Sequence, residues 1–478
     1  MSLEQMAQAE LVASDTASRC TDLANAHRLV EHYGDRLLYV EGIGWHVFGP
    51  PWRHDELAAR EIAHTLGRII ADEADALTDW VAASPDSAEM KKREEVVKSR
   101  RGWGKASESS GKITAALQEA APLLRCKAEV LDADKDLLGV QNGVIDLRTF
   151  EFREFRPQDR ITKTCGVPYD PDAGWDVWQE FVDGCMGGDH ELSDFLYCLS
   201  GYLLSGHRGE HVLPVLHGNG ANGKSTFLGA LQHVMGDYAG TAPPGLLIQR
   251  SGTEHPTGLA SLQGRRLVVS SETGEGGSLA EAQVKQLTGG DRIAARRMHQ
   301  DFYEFDPTHL IVLATNHKPR VTGTDEGIWR RLKLVPFAVT VPEDKRDPML
   351  PQKLAAEGCG ILNWLLCGLR KYKAKGLPLP EAIRAATDEY RSASDVVGSF
   401  LEECTASAPG EVRSGELYQA YSTWCGDSGE RAMAQKQFGI RLEERGLQRH
   451  KGAGGNRFWL GLRILDSDRK EYSRASRG

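Results

Sequence analysis

The sequence predicts an α/β protein: a parallel sheet around a phosphate-binding loop, with a mixed α+β region before it and a compact basic unit after it. Three observations predict this. An apolar run, Leu213-Pro-Val-Leu-His, leads into Gly218-Asn219-Gly220-Ala221-Asn222-Gly223-Lys224-Ser225-Thr226 and then an apolar helix start, the setting a P-loop requires. Two further apolar runs, residues 265–272 and 309–316, each end in a polar residue, as buried strands do where ligands meet their C-terminal ends. Composition allows real cores, with 40% hydrophobic residues in 478, a length that suits two to four domains.

The same composition excludes several classes. Apolar stretches such as residues 361–369 break off long before bilayer length, and Met-Ser-Leu-Glu-Gln at the start lacks a signal-peptide core. No membrane association is expected. Nine cysteines are scattered without a Cys-x-x-Cys pair, which argues against a disulfide framework or a zinc ribbon and for reduced thiols in a cytosol. The formal charge of -9 predicts solubility without wholesale attraction to nucleic acid, so any DNA contact must come from local basic patches.

Taken in order, Leu37-Leu-Tyr-Val and Trp45-His-Val-Phe read as strands, and residues 55–72 carry helical spacing of Leu57, Ile62, Leu66 and Ile70. Asn142-Gly143 reads as a turn entering the strand Val144-Ile-Asp-Leu. Between them Lys91, Lys92, Arg93, Lys98, Arg100, Arg101 and Lys105 surround Trp103; such a stretch can hold single-stranded nucleic acid or form a solvated helix face. Asp170-Pro-Asp-Ala-Gly marks a junction before a helical segment at 175–204. After the core, residues 354–373 and 380–404 are expected to be helical, with Gly376-Leu-Pro-Leu-Pro as a breaker.

The chemistry is read from residue types. Gly218 to Gly223 let backbone N–H groups cradle phosphate oxygens at a helix N-terminus. Lys224 reaches the β and γ phosphates, and Ser225 with Thr226 opens the helix, the Ser225 hydroxyl holding Mg²⁺. Glu272, ending its strand about fifty residues beyond Lys224, is placed to polarise an attacking water and help order the metal. Asn316, ending the next strand, is placed to bond that water or a γ-phosphate oxygen. Between these strands lies a hairpin pattern carrying Arg296, Arg297 and His299 near its tip, and Trp329-Arg330-Arg331 precedes a closing strand at 332–337. In the C-terminal unit Arg441, Arg445, Arg449, Lys451 and Arg457 dominate, with residues 435–445 as a recognition helix and a glycine-tipped wing after it.

These blocks together resemble the superfamily 3 helicases, most closely the helicase part of phage and plasmid primase-helicases related to the poxvirus primase-helicase. The resemblance is carried by Gly-Asn-Gly-Ala-Asn-Gly-Lys-Ser-Thr, Ser-Glu272, Lys285 with Leu-Thr-Gly-Gly-Asp291, Ala-Thr-Asn316-His-Lys-Pro319 and Asp-Glu-Gly-Ile-Trp-Arg-Arg-Leu. Upstream, Asn142-Gly-Val-Ile-Asp-Leu-Arg and Tyr169-Asp-Pro-Asp resemble the domain that precedes the helicase; downstream, residues 414–425 and 437–442 resemble its winged-helix tail. The resemblance implies an AAA+-like superfamily 3 core at 169–345 with its helical lead-in, an N-terminal α+β domain at 1–168, a helical linker region at 346–405, a winged-helix DNA-binding domain at 406–465 and a disordered tail at 466–478. It also implies a ring, usually a hexamer, with ATP and Mg²⁺ at subunit interfaces and single-stranded or forked DNA in the channel.

On that resemblance Arg331 best matches the arginine finger supplied by a neighbouring subunit, with Arg330 its close rival, and the hairpin residues grip the DNA backbone. Relatives carry lysines nearer the hairpin tip and, in some cases, two adjacent acids where Ser271-Glu272 stands here. The implied function is an ATP-driven DNA helicase, 3′ to 5′, replicating a phage, plasmid or other mobile element in a bacterial cytoplasm. A separate primase or replication-initiation protein is an expected partner. The alternatives are an ATP-gated origin-binding or loader protein that does not unwind, and the helicase half of a primase-helicase; no primer synthesis by this chain is expected.

Overall fold

A computed structural model of the protein describes residues 19–249, 257–272, 277–296, 301–321, 323, 325–452 and 455–465. The chain forms two compact units: residues 1–173 with 233–238, and residues 174–232 with 239–478. The tail expected at 466–478 lies outside the described residues.

The first unit is α+β. Strands β1 (Leu37–Val40), β2 (Gly44–Phe48), β3 (Trp52–His54) and β4 (Arg125–Cys126) form one sheet in the order β3-β2-β1-β4. A meander of β5 (Leu137–Val140), β6 (Gly143–Asp146) and β7 (Glu151–Arg153) forms another, turning at Gln141-Asn142, one residue before the expected Asn142-Gly143, since Gly143 already pairs with Val140. The single helix expected at 55–72 is two, Glu56–Ala63 and Leu66–Asp75, because the first closes at His64. The basic stretch lies on the helix Ser87–Ser107, but two of its arginines face inward. Arg93 donates to the Trp80 carbonyl at 2.7 Å and lies over that ring, while Arg100 is fully buried beside Glu73. Burial alone would raise the Glu73 pKa; the two-pronged bond from Arg28 and the charge of Arg100 hold it below the usual carboxylate range. These side chains hold the unit together and are unavailable to a nucleic acid.

The second unit is built on a five-stranded, wholly parallel sheet. Its strands are β8 (Leu213–His217), β9 (Ala239–Thr241), β10 (Leu267–Glu272), β13 (Leu310–Thr315) and β14 (Leu332–Pro336), in the order β14-β8-β13-β10-β9. All described residues of β8 and β13 but His217 and Ala314 are buried, the near-continuous apolar reading of a strand covered on both faces. Between β10 and β13 the hairpin of β11 (Ile293–Arg296) and β12 (Phe302–Phe305) departs from the sheet, anchored by buried Ile293, Ala295 and Phe305.

The helices on either side of this sheet's sequence are one body. His190–Leu204 packs on Gly358–Lys375, and Trp178 stacks on Phe227 of the P-loop helix at 5.3 Å while meeting Trp364 edge-on at 5.5 Å. Glu381–Ser394 lies along β14, where the Thr387 hydroxyl accepts from the Leu334 N–H at 3.1 Å. Residues 346–395 are thus integral to the unit and no linker, because their apolar faces are buried in it. The helix Val396–Cys404, also placed in that linker by the sequence, belongs to the C-terminal core: Phe400 packs against Tyr421, Trp424 and Phe438. That core runs helix, strand β15 (Thr405–Arg413), helices Ser414–Asp427 and Gln435–Glu444, then β16 (Arg449–Lys451) and β17 (Arg457–Ile464), with sheet order β15-β17-β16.

His309, immediately before β13, is buried beside the Arg208 guanidinium; desolvation and that charge pull its pKa down from 6.5 to about 3. The folded ring stays neutral while the unfolded one protonates below about pH 6.5, so stability is intact above that pH and is lost progressively down to about pH 3. Between pH 7 and pH 5 His309 is expected to remove about 2 kcal/mol of stability. Urea midpoints at the two pH values check this, the pH-dependent loss being smaller by that amount in His309→Gln.

Candidate nucleotide site

Register brings the predicted site residues together. Reading across the sheet at its C-terminal edge, Pro336 pairs with His217, His217 with Thr315, and Thr315 with Glu272. One rung therefore carries the residue before the P-loop, the residue before Asn316, and Glu272 itself. Neighbouring strands lie about 4.8 Å apart, so the Glu272 backbone stands roughly 10 Å from that of His217. β8 is flanked by β14 and β13, which makes its C-terminal end the crevice where parallel α/β sheets bind ligands.

The P-loop itself is shaped by three left-handed residues, Gly220 (φ 101°), Ala221 (φ 48°) and Gly223 (φ 85°). Gly223 has a second constraint: a Cβ there would stand 2.3 Å from the Cys185 sulfur. Gly218 is equally constrained, since a Cβ would fall 2.1 Å from the Asn222 amide nitrogen. Asn222 is buried and braces the loop, its amide donating to the Phe337 carbonyl at 3.0 Å. Lys224 opens the helix Lys224–Met235 and folds back on the loop, donating to the Gly218 carbonyl at 2.6 Å and the Asn222 side-chain oxygen at 3.0 Å. Burial lowers its pKa from the ordinary lysine value. Asn219 and Ser225 are exposed, and Thr226 is half-buried one residue on.

One neighbouring cation, Lys318, adds to the positive field. Burial first, then the charges of Lys318 and Lys224, lower the His217 pKa, and His217 also bonds the Asn316 backbone. The Asn316 backbone thus lies beside the residue that leads into the loop, and Asn316 is exposed. Sequence reasoning missed three contributors: Asn222 as a brace, Lys318 as a local charge, and the carbonyl of Phe337. Only Lys318 left a readable signal, as the cation two residues after the strand-ending Asn316.

The arginine pair is separated from this edge. Both precede Leu332, which pairs with Leu213 at the first rung of β8, so they stand at the opposite end of the sheet. A strand of five residues spans about 16 Å, and neither side chain reaches the P-loop of its own chain. The two also differ in availability. Arg331 is buried, its Nε donating to the Thr288 hydroxyl at 3.1 Å and its Nη1 to the Gly327 carbonyl at 2.7 Å; Arg330 is exposed. Lys285 of the helix Glu281–Thr288 pairs with Asp325 at the start of the same turn.

Of the remaining candidates, Arg296 is exposed on β11 with its guanidinium 5.6 Å from the Phe302 ring centre. Arg297, His299 and the Glu272 side chain lie outside the described residues. In the C-terminal core Arg441 pairs with Glu444 at 2.7 Å, Arg449 with Glu443 at 2.6 Å and Arg445 with Asp395. Lys451 and Arg457 are exposed and stand directly opposite each other across β16 and β17. Among the described residues no cluster of three His, Cys, Asp or Glu side chains could hold a metal, and no helix is long and apolar enough to cross a membrane.

Residues 26–187 match the family described as D5 N terminal like, and residues 216–331 match a family of unknown function, DUF5906. Similar curated proteins include "Putative helicase L207/L206" of Acanthamoeba polyphaga mimivirus, 29% identical over 62% of this chain and 33% of that one. "Putative helicase 184R" of Invertebrate iridescent virus 6 is 26% identical over 57% and 32%, and "Putative primase C962R" of African swine fever virus is 27% identical over 62% and 34%. The alignments span about a third of the length of these relatives. Among solved structures, the apo C-terminal region of NrS-1 aligns with a TM-score of 0.40 at 9% identity, covering 60% of this chain and 76% of that one. The chain is thus similar, over residues 26–187 and 216–331, to the D5-like primase-helicases.

Proposed function

We propose that the protein is an ATP-hydrolysing DNA helicase of the superfamily 3 kind that works as a ring, most simply a hexamer, and tracks 3′ to 5′ in replication of a phage, plasmid or other mobile element. The observation that carries this reading is the split between the two ends of the sheet. The residues that lead into the phosphate loop and the polar sensor share one rung with the acid, while the arginines stand at the other end. A chain with this layout holds half a hydrolytic site at each end, and stacking copies head to tail unites the halves.

In this reading the loop N–H groups and Lys224 bind the β and γ phosphates, Lys224 exchanging its bonds to Gly218 and Asn222 for phosphate oxygens. Glu272 takes a proton from the attacking water, Asn316 orients it, and an arginine from the next subunit meets the developing charge. The burial and hydrogen bonds of Arg331 make it the clamp that holds the turn to Thr288, and the exposed Arg330 the finger. The donors fit Mg²⁺: Ser225 offers one exposed hydroxyl, and the rest of the shell falls to phosphates and water, the way this ion is usually bound. When bound, the ion neutralises charge on the transferring phosphate.

We read the C-terminal core as a winged helix and assign it to DNA. Opposed like charges such as Lys451 and Arg457 destabilise a strand pair unless an anion lies between them, and a phosphate backbone supplies it. Arg296 on the hairpin, with Arg297 and His299 beyond it, is assigned to the channel strand, which it would grip without regard to sequence. The decisive experiment offers the purified chain ATP, Mg²⁺ and forked DNA with either the 3′ or the 5′ tail removed. Displacement that needs the 3′ tail is the expected result. Nucleotide-dependent DNA binding without displacement would mark a loader instead, and labelled primers made from nucleotides on a single-stranded template would mark a primase.

A further inference from the structure

A cleft of about 700 Å³ opens within the second unit, between the segment that follows Asn316 and the helix Gln435–Glu444. Its charge is unlike that of the chain. Six cations line it (Lys318, Arg320, Arg391, Arg431, Arg441 and Arg445) against three carboxylates, Asp395, Glu430 and Glu444, a net of +3 in a protein whose formal charge is -9. Cations lie on both walls: Arg320 belongs to the sheet side and Arg431 to the C-terminal core, with Glu430 bridging toward Arg320 at 3.7 Å. Arg431 is exposed and makes no ion pair among the described residues. Several of the existing pairs are loose or exposed, as in Lys318 to Glu389 at 3.7 Å and Arg391 to the exposed Glu326. Pairs of that kind contribute little and exchange readily for a better anion.

We propose that this cleft binds the phosphate backbone of a single DNA strand, with Arg320 and Arg431 as the contacting cations. The inference rests on the DNA reading above and adds a site to it. Guanidinium groups fork onto phosphate oxygens, and several on facing walls match the repeating charge of a strand. The volume falls in the range of about 300 to 1,000 Å³ that encloses a small ligand, hence a short run of single strand; a duplex would meet only the rim. The helix Gln435–Glu444 and its C-cap Arg445 turn Gln437, Arg441 and Arg445 into this cleft, so these arginines face the sheet-side wall. A strand held here touches residues 318–321, directly after Asn316, and its arrival is felt at the nucleotide sensor.

The test measures binding of fluorescein-labelled oligo(dT) to the full chain by anisotropy, without nucleotide, across a salt series. The double variant Arg320→Gln/Arg431→Gln is expected to bind about tenfold more weakly, with the slope of log K against log salt shallower by about 1.4, the change expected for two lost phosphate contacts on a single strand. Its DNA-independent ATP hydrolysis and melting temperature should stay at the wild-type level, and unlabelled single strand should displace the probe better than duplex of the same length. Affinity within twofold of wild type, an unchanged slope, or duplex as the better competitor overturns the cleft while leaving the helicase reading standing. A wild-type chain that binds no DNA at all overturns the DNA reading itself, and the cleft with it.

Discussion

An Arg330→Ala chain is expected to lose ATP hydrolysis by roughly 10³-fold or more, the scale of an arginine that meets transition-state charge, while melting like the wild type. Arg330 is exposed at the end of the helix Glu326–Trp329, so truncation removes no packing. Arg331→Ala should behave differently. It removes the bonds to Thr288 and Gly327 and should cost about 1–3 kcal/mol of stability, the usual range when a buried hydrogen-bonded partner is deleted. The decisive measurement mixes subunits. Arg330→Ala chains keep an intact P-loop, and Lys224→Ala chains, inactive alone, keep an intact Arg330; where an Arg330→Ala loop meets a Lys224→Ala neighbour, a complete site forms. Recovery of ATPase on mixing is the expected result. Recovery with Arg331→Ala in place of Arg330→Ala would reverse the two roles, and recovery with neither, in rings shown to be mixed, would remove the shared site.

The choice between these arginines shows where sequence reading stops. Arg330 and Arg331 are neighbours of identical chemistry, and what separates them is a hydroxyl on Thr288, 43 positions earlier in the chain. Local signals had no access to that contact. They did give the loop, the strand-ending Glu272 and Asn316, and the turn at Asn142, because each is written within a few residues by apolar runs and glycines. The shared rung needed strand order and register, which are non-local: nothing in residues 213–217 says that β13 and β14 will flank them. The same limit explains the helix Val396–Cys404, whose apolar face is plain in the sequence but whose partner, the Tyr421–Phe438 stack, is not. The basic stretch on Ser87–Ser107 shows the same limit, since a buried arginine and an exposed one look alike until Trp80 and Glu73 are placed beside them.

A second large effect is expected far from any nucleotide contact. The helices His190–Leu204 and Gly358–Lys375 cross with their backbones touching at two glycines. A Cβ on Gly201 would lie 2.1 Å from the Leu369 nitrogen and 2.2 Å from the Gly368 carbonyl carbon; one on Gly368 would lie 2.3 Å from the Tyr197 carbonyl oxygen. These are backbone atoms inside helices, so no side chain can turn away. Gly201→Ala must push the helices apart, and the Trp178–Trp364 contact beside the crossing opens with them, along with the Trp178 stack on Phe227. The expected cost is at least about 3 kcal/mol, at the top of the overpacking range, and the P-loop helix loses part of its support. Gly229→Ala is the matched control on that helix: it is exposed, has open space where the Cβ would go, and should stabilise by about 0.5–1 kcal/mol as a helical glycine replaced by alanine. Melting curves for the two variants should move in opposite directions, and a similar shift in both would mean that helix propensity, and not the close crossing, decides stability at Gly201.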